Sequence, residues 1–163
     1  MNRSLKPILL VEDSEEDREA LLRAFRQIGL DNPIVHCESA DEALDFLFQR
    51  GRYRQSRDTP RPGVILLDLN LPGLDGRELL LEIKNNPKTR AIPVIIVTTS
   101  SSSRDVDKCY HSGASGYIQK PVDYGKFVSL IQGFIKYWFE VVILPDLEPM
   151  LRMNHDAPDS THR

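Results

Sequence analysis

The sequence predicts an α/β fold, a doubly wound five-stranded parallel sheet taken in the order 2-1-3-4-5, and three observations carry the parallel sheet. Ile8-Leu9-Leu10-Val11, Val64-Ile65-Leu66-Leu67 and Val94-Ile95-Ile96-Val97 are apolar runs without polar alternation, as expected of strands buried on both faces. Between them lie amphipathic stretches with cap and stop residues, so strand and helix alternate along the chain and right-handed crossovers follow. Polar residues stand where the runs stop, and in an open parallel sheet that edge is where ligands bind.

The first strand, Ile8-Leu9-Leu10-Val11, ends in Glu12-Asp13. Ser14 with Asp17 resembles a capping box, and Leu21, Leu22, Phe25 and Ile28 recur at helical spacing until Gly29. Pro33-Ile34-Val35-His36-Cys37 reads as a short second strand. A second helix follows from the box Ser39/Glu42, with Ala40, Ala43, Leu44, Leu47 and Phe48 on one stripe. From Gln49 to Pro62 the pattern lapses, and Arg50, Arg52, Arg54, Arg57 and Arg61 gather around Tyr53. A solvated basic loop is the expected reading; contact with phosphate or a partner is the alternative.

The third strand delivers Asp68 into Leu69-Asn70-Leu71-Pro72-Gly73. Asp75 caps a helix carrying Leu79, Leu80 and Ile83, which gives way at Asn85-Asn86-Pro87. The fourth strand ends in Thr98-Thr99 and a serine run, Ser100 to Ser103. A short helix with Val106, Cys109 and Tyr110 closes at Gly113, and a fifth strand, Ser115-Gly116-Tyr117-Ile118-Gln119, ends in Lys120-Pro121. The last helix is expected from Asp123 to Pro145, with Phe127, Leu130, Ile131, Phe134, Tyr137, Trp138 and Val141 as its core stripe. Val128, Ile135, Phe139 and Val142 then form a second apolar face that fits a homodimer interface. Residues 1–145 are thus read as one domain and 146–163 as a flexible tail.

The chain of 163 residues has length for one domain and a net charge of -3, with no global electrostatic case for nucleic acid or a membrane surface. Cys37 and Cys109 lie outside any C-x-x-C pattern and read as buried thiols. A signal peptide and transmembrane run are not seen, and a cytoplasmic location is expected.

In the predicted strand order Glu12, Asp13 and Asp68 converge. Three carboxylates in one crevice repel unless a cation joins them, and a hard ion such as Mg²⁺ fits. Asp68 would then be a nucleophile toward phosphorus, with Mg²⁺, Lys120 and the Thr98 hydroxyl holding the phosphoryl oxygens. Taken singly, Asp68 also suits a turn, Thr98 a plain strand end, and Lys120 a solvated lysine. Their conjunction is the signal.

Val11-Glu12-Asp13, the run from Leu67 to Gly76, Val97-Thr98 and the run from Gly113 to Pro121 together resemble the receiver domain of two-component response regulators. The resemblance spans about residues 5 to 140 and implies a flavodoxin-like receiver fold with an extended final helix. It implies that Asp68 takes a phosphoryl group from a sensor histidine kinase, in a phosphoacceptor signalling protein rather than an enzyme. Asp13, Asp68 and the Asn70 carbonyl would bind Mg²⁺, with Glu12 acting through water. Thr98 and Tyr117 would be the coupled switch, Lys120 would pair with the phosphoryl group, and Lys120-Pro121 would be cis. Val97-Thr98-Thr99-Ser100, the arginine-bearing insertion and Tyr137-Trp138-Phe139 ahead of Leu144-Pro145 resemble the single-domain regulators that serve bacterial phytochrome kinases. Thr99 departs from the small residue usual after the switch threonine.

Four functions compete. A stand-alone switch needs protein contacts for output, since no DNA-binding domain follows; its downstream protein is not identifiable from the sequence. An aspartate-nucleophile phosphatase wants a second acid two residues after the nucleophile, where this chain has Asn70. A nucleotide or flavin binder wants a glycine-rich phosphate loop, which is not seen. A phosphorylation-independent scaffold would not require the full acid and lysine set.

Overall fold

In a computed structural model, residues 5–55 and 61–147 are described. The five strands are β1 (Ile8–Val11), β2 (Ile34–Cys37), β3 (Val64–Leu67), β4 (Val94–Thr98) and β5 (Gly116–Gln119). They pair in parallel, as the alternation predicts, and in the order β2-β1-β3-β4-β5. The register sets Val11 opposite Leu67 and Thr98 opposite Gln119, so the strand ends share one edge.

Period-2 side-chain geometry divides each central strand between two cores. Leu9, Val11, Ile65, Leu67, Val94 and Ile96 face helices α2 (Ala40–Leu47), α3 (Gly76–Asn85) and α4 (Ser103–His111). Ile8, Leu10, Val64, Leu66, Ile95 and Val97 face α1 (Glu15–Gln27) and α5 (Tyr124–Ile135). Each fully buried side chain contributes about 1.5–3 kcal/mol of transfer free energy. The central strands thus hold their carboxyl ends in fixed positions.

The capping residues are those expected, but neither expected box is reciprocal: at α2 Ser39 Oγ accepts from the Glu42 amide at 3.2 Å while Glu42 Oε2 accepts from the Glu38 amide at 2.8 Å. Ser14 Oγ accepts from the Asp17 amide at 3.3 Å, but the Ser14 amide donates to Glu12 Oε1 at 3.0 Å. Asp17 is therefore not spent on a reciprocal box. At α3 the reciprocal box is complete, between Asp75 and Glu78. Gly76 opens that helix in close contact with the third strand's end. A Cβ there would lie 2.2 Å from the Asp68 carbonyl oxygen and 2.8 Å from Leu69 Cα.

The last helix differs from its expectation. Regular α-helix ends at Ile135, a π-helical segment covers Lys136–Val141, and Val142 is extended. Val141-Val142-Ile143 is β-branched throughout and disfavours continuation well before Pro145. The wider π turn, closed by Val142 N donating to Tyr137 O at 2.9 Å, also carries the chain out of the 3.6-residue phase. The faces also differ from the expectation, already in the regular helix at Val128 and Leu130 and again beyond it. Phe127, Ile131 and Phe134 are buried, while Leu130, Tyr137 and Val141, read as core, are exposed, Tyr137 to 54% and Val141 to 65%. Val128, Ile135 and Phe139, expected on an open face, pack against the chain's own core, and Val142 is half-buried.

Beyond the helix Lys6 Nζ donates to Pro145 O at 2.5 Å, and Leu147 is buried against the α2/α3 side of the sheet. Only Asp146 and Leu147 of the expected tail fall within the described residues. In the arginine-bearing stretch, Arg52 pairs with Glu42, Arg50 with Asp45 at 3.6 Å, and Arg61 donates to Lys88 O at 3.2 Å. Arg57 lies outside the described residues. Cys37 and Cys109 are buried free thiols, and burial pushes Cys37 up to about 11.

Candidate functional site

Lys120 organises the carboxyl edge. Its Nζ donates to Glu12 Oε2 at 2.5 Å, Asp17 Oδ2 at 2.8 Å and Asp68 Oδ2 at 3.3 Å. Lys120 and Asp68 side chains are 7% and 8% exposed and that of Glu12 is 1%. Three strands deliver these groups: β1 ends before Glu12, β3 before Asp68 and β5 before Lys120. The lysine is also fixed through its backbone, Lys120 N donating to Thr98 O at 2.7 Å. Backbone contacts steady the acids: His36 Nε2 lies 2.7 Å from Glu12 O, and Asn70 N donates to Asp68 Oδ1 at 3.3 Å.

Asp17, from the first turn of α1, is the member that sequence reasoning missed. Its available signal was position, an acid three residues past a capping serine and one turn beyond the Glu12 edge, but it read as part of the cap. Asp13 is exposed and outside this group, and the Asn70 side chain is exposed, its amide alone contacting Asp68.

Burial pushes the Glu12 carboxyl up to about 7, against the downward pull of Lys120. Burial alone would lower Lys120, but its hydrogen bonds to Asp17 and Glu12 and the surrounding negative charge outweigh that and raise it. One ammonium thus faces three carboxylates. Oxygens of Glu12, Asp17 and Asp68 lie within 4.8 Å of one another, and this all-oxygen, negatively charged donor set fits a hard divalent cation.

The hydroxyl edge lies beside this centre. Thr98 is fully buried at the end of β4, and its Oγ1 accepts from Ser100 N at 3.4 Å. Tyr117 OH donates to Ser100 O at 3.0 Å, and Ser100 Oγ donates to Asp105 Oδ2 at 2.7 Å. Asp105 in turn accepts two bonds from Arg77, 2.9 Å from Nε and 2.8 Å from Nη2. Thr99, next in the chain, is exposed. No peptide bond among the described residues is cis, so the expected cis bond between Lys120 and Pro121 is corrected to trans. Trans is the lower-energy form before proline by about 0.5–1 kcal/mol, and in it the Lys120 amide and ammonium already reach Thr98 and the acids.

A sequence profile of the response regulator receiver domain matches residues 8–132. The chain belongs to this family. The response regulator Rcp1 of Synechocystis sp. is 40% identical over 140 residues, which cover 86% of this chain and 93% of Rcp1. The Mn²⁺-bound crystal structure of Rcp1 superposes with a TM-score of 0.79 at 39% identity, over 86% of this chain and 99% of that one. The phosphorylated cyanobacterial phytochrome response regulator RcpA superposes with a TM-score of 0.81 at 34% identity, over 87% and 99%. The bacteriophytochrome response regulator RtBRR gives 0.70 at 37% identity, over 93% and 90%. The receiver fold that the family resemblance implies is thereby shown. Among the described residues no helix is long and apolar enough to cross a membrane.

Proposed function

We propose that this receiver is a stand-alone phosphorylation switch, that Asp68 accepts the phosphoryl group from a sensor histidine kinase of the bacterial phytochrome class, and that its output is protein contact. The observation that carries the reading is the Lys120 ammonium shared among Glu12, Asp17 and Asp68 in a nearly closed crevice. Likeness to RcpA and RtBRR supports the choice of kinase class. A cytoplasmic location follows from the kinase's need for access.

In this reading an Asp68 carboxylate oxygen attacks the phosphorus of a phosphohistidine; the new O–P bond forms as the P–N bond breaks, and the imidazole leaves and takes up a proton. Lys120 holds a phosphoryl oxygen with the ammonium now divided among the acids, and Thr98 turns its hydroxyl toward another. Glu12, Asp17 and Asp68, whose oxygens converge, would hold Mg²⁺, with Asp13 and the Asn70 carbonyl joining them as the family resemblance implies, and the ion would supply charge neutralisation for the transferring group. Tyr117 then leaves Ser100 O and moves inward. The added charge is read by this two-state element.

The last helix supports a homodimer through its exposed strip, Leu130, Tyr137 and Val141, with Val142 at its margin. Val128, Ile135 and Phe139 contribute only what their own packing leaves open. The test is intact mass after incubation with Mg²⁺ and acetyl phosphate, with size exclusion on the same samples. One phosphoryl adduct is expected, dependent on Mg²⁺ and absent in Asp68→Ala, together with an earlier elution that Tyr137→Lys reduces. An adduct that survives Asp68→Ala, or no adduct from acetyl phosphate or any phytochrome kinase, rejects the reading.

A further inference from the structure

Ser100 uses all three of its polar backbone and side-chain atoms, each toward a different element. Its amide donates to Thr98 Oγ1, its carbonyl accepts from Tyr117 OH, and its hydroxyl donates to Asp105 Oδ2. The first two partners are the residues that must move if the switch operates as proposed. The third leads away from the reacting atoms. Asp105, in the first turn of α4, is gripped by two parallel bonds from Arg77, and Arg77 Nη1 also lies 3.1 Å from both Asp75 carboxylate oxygens. Arg77 follows Gly76, whose Cα sits against the Asp68 carbonyl. A continuous chain of contacts thus runs from the backbone of the phosphoacceptor through Arg77 and Asp105 to the loop that holds both switch residues.

The Arg77–Asp105 pair has the geometry of a strong interaction. It is bidentate, charge-assisted and part-buried, with side chains 34% and 19% exposed. It also has no evident part in forming the helices, since α4 is capped by Ser102 and α3 by Asp75 and Glu78. What it fixes is the position of α4 and the 99–102 loop relative to α3.

We propose that Arg77 and Asp105 are positioning residues that latch Ser100, and through it Thr98 and Tyr117, in the resting arrangement, so that their pairing sets how readily Asp68 is phosphorylated. This rests on the phosphorylation reading above. Neither residue touches the phosphoryl group. Turning Thr98 toward the phosphoryl group gives up its bond from Ser100 N, and moving Tyr117 inward gives up its bond to Ser100 O. A loop held by Asp105 resists both. Weakening the hold raises the population of the switched arrangement before phosphorylation, and a donor that reacts with that arrangement then reacts faster.

The experiment measures initial rates of phosphoryl adduct formation by intact mass, with full-length protein, Mg²⁺ and subsaturating acetyl phosphate. Arg77→Gln and Asp105→Asn are expected to react about three- to tenfold faster than wild type, with Arg77→Lys between, because a lysine keeps the charge and loses the two-bond fork. The gain is expected to shrink in a Thr98→Ala background, where the Ser100 amide has no Thr98 hydroxyl to hold and only the bond from Tyr117 remains. Deuterium uptake is expected to rise across residues 99–102 and to stay unchanged in β1 and β3, which separates a released latch from general loosening. Ser100→Ala removes the bond to Asp105 and the longer one from Ser102 N at 3.4 Å and leaves the ion pair, so it reads the same effect if an Arg77 variant fails to fold. Unchanged or slower rates in these folded variants overturn the latch, as does an equal acceleration without Thr98. An adduct in wild type with unaltered variant rates defeats the latch alone; no adduct in wild type defeats the phosphorylation reading and the latch with it.

Discussion

Two clusters of charge stand side by side at the carboxyl edge of this sheet, and they are built on opposite principles. In one, Lys120 faces Glu12, Asp17 and Asp68, so negative charge is in excess in a crevice that buries all of them but Asp17. In the other, Arg77 and Asp105 satisfy each other, with Asp75 and Ser100 taking the remaining contacts. The first cluster sets three carboxylates against one ammonium, and burial pushes Glu12 up to about 7. The second is complete, and hydrogen bonds from Arg77 and then Ser100 hold Asp105 down at about 2. In the proposed reading the unmet charge serves phosphoryl transfer and the met charge serves as a mechanical hold.

The largest effect should come from removing the one cation of the first cluster. Lys120→Met leaves three carboxylates together, and uncompensated buried charge of this kind costs about 3–5 kcal/mol, measured as a lower urea midpoint. Added Mg²⁺ should restore more stability to this variant than to wild type, because a ligand stabilises in proportion to its binding. Equal Mg²⁺ responses would mean that the acids do not form the cation site.

Gly76→Ala comes next. Its Cβ would meet the Asp68 carbonyl at 2.2 Å, which is backbone and cannot swing away. Overpacking of this sort costs about 1–3 kcal/mol and should also slow phosphorylation by displacing Asp68. Wild-type stability together with a wild-type rate would show that α3 shifts without cost.

Neutralising one acid in each cluster should give effects of opposite sign, each about 1 kcal/mol. Without metal at pH 8, Glu12→Gln should stabilise, since it removes a charge that burial opposes while Asp17 and Asp68 still partner Lys120. Because the folded state raises Glu12 from 4.5 to about 7, its contribution is fully present below 4.5 and is lost as pH rises through 7. The advantage of the glutamine variant should therefore shrink on acidification. Asp105→Asn should destabilise. Effects of the same sign from the two variants would dissolve the contrast between the clusters.

The smallest effect is the acid limb. Asp105 is lowered in the folded state from 3.8 to about 2, so its stabilisation is present above 3.8 and is lost as pH falls toward 2. Urea unfolding over that range should show a loss of about 1 kcal/mol after allowing for solvent screening, and Arg77→Gln should flatten it.

Much of this was legible in the chain. Unbroken apolar runs announced strands covered on both faces, and the polar residue after each run announced its edge. In that way the chain places Asp68, Lys120, Thr98 and Glu12 at one edge of the sheet, where the structure has them. Asp17 was hidden because its local pattern had a sufficient local explanation in the cap at Ser14. Arg77 and Asp105 were hidden because a helix-surface arginine and a first-turn acid are ordinary in sequence; they meet 28 residues apart. The last helix misled because its apolar residues cover more than one face, and periodicity cannot say where a π turn changes the phase.

The sequence by itself determined the layers, the strand edges and the chemistry delivered there, because side-chain periodicity and strand termination are local properties repeated along the chain. Only the tertiary structure decided which charges share a cation, which face of the last helix stays open, and that Lys120-Pro121 is trans. Those outcomes depend on contacts between distant segments, such as Lys120 with Asp17 across 103 positions, and on burial that no single segment carries.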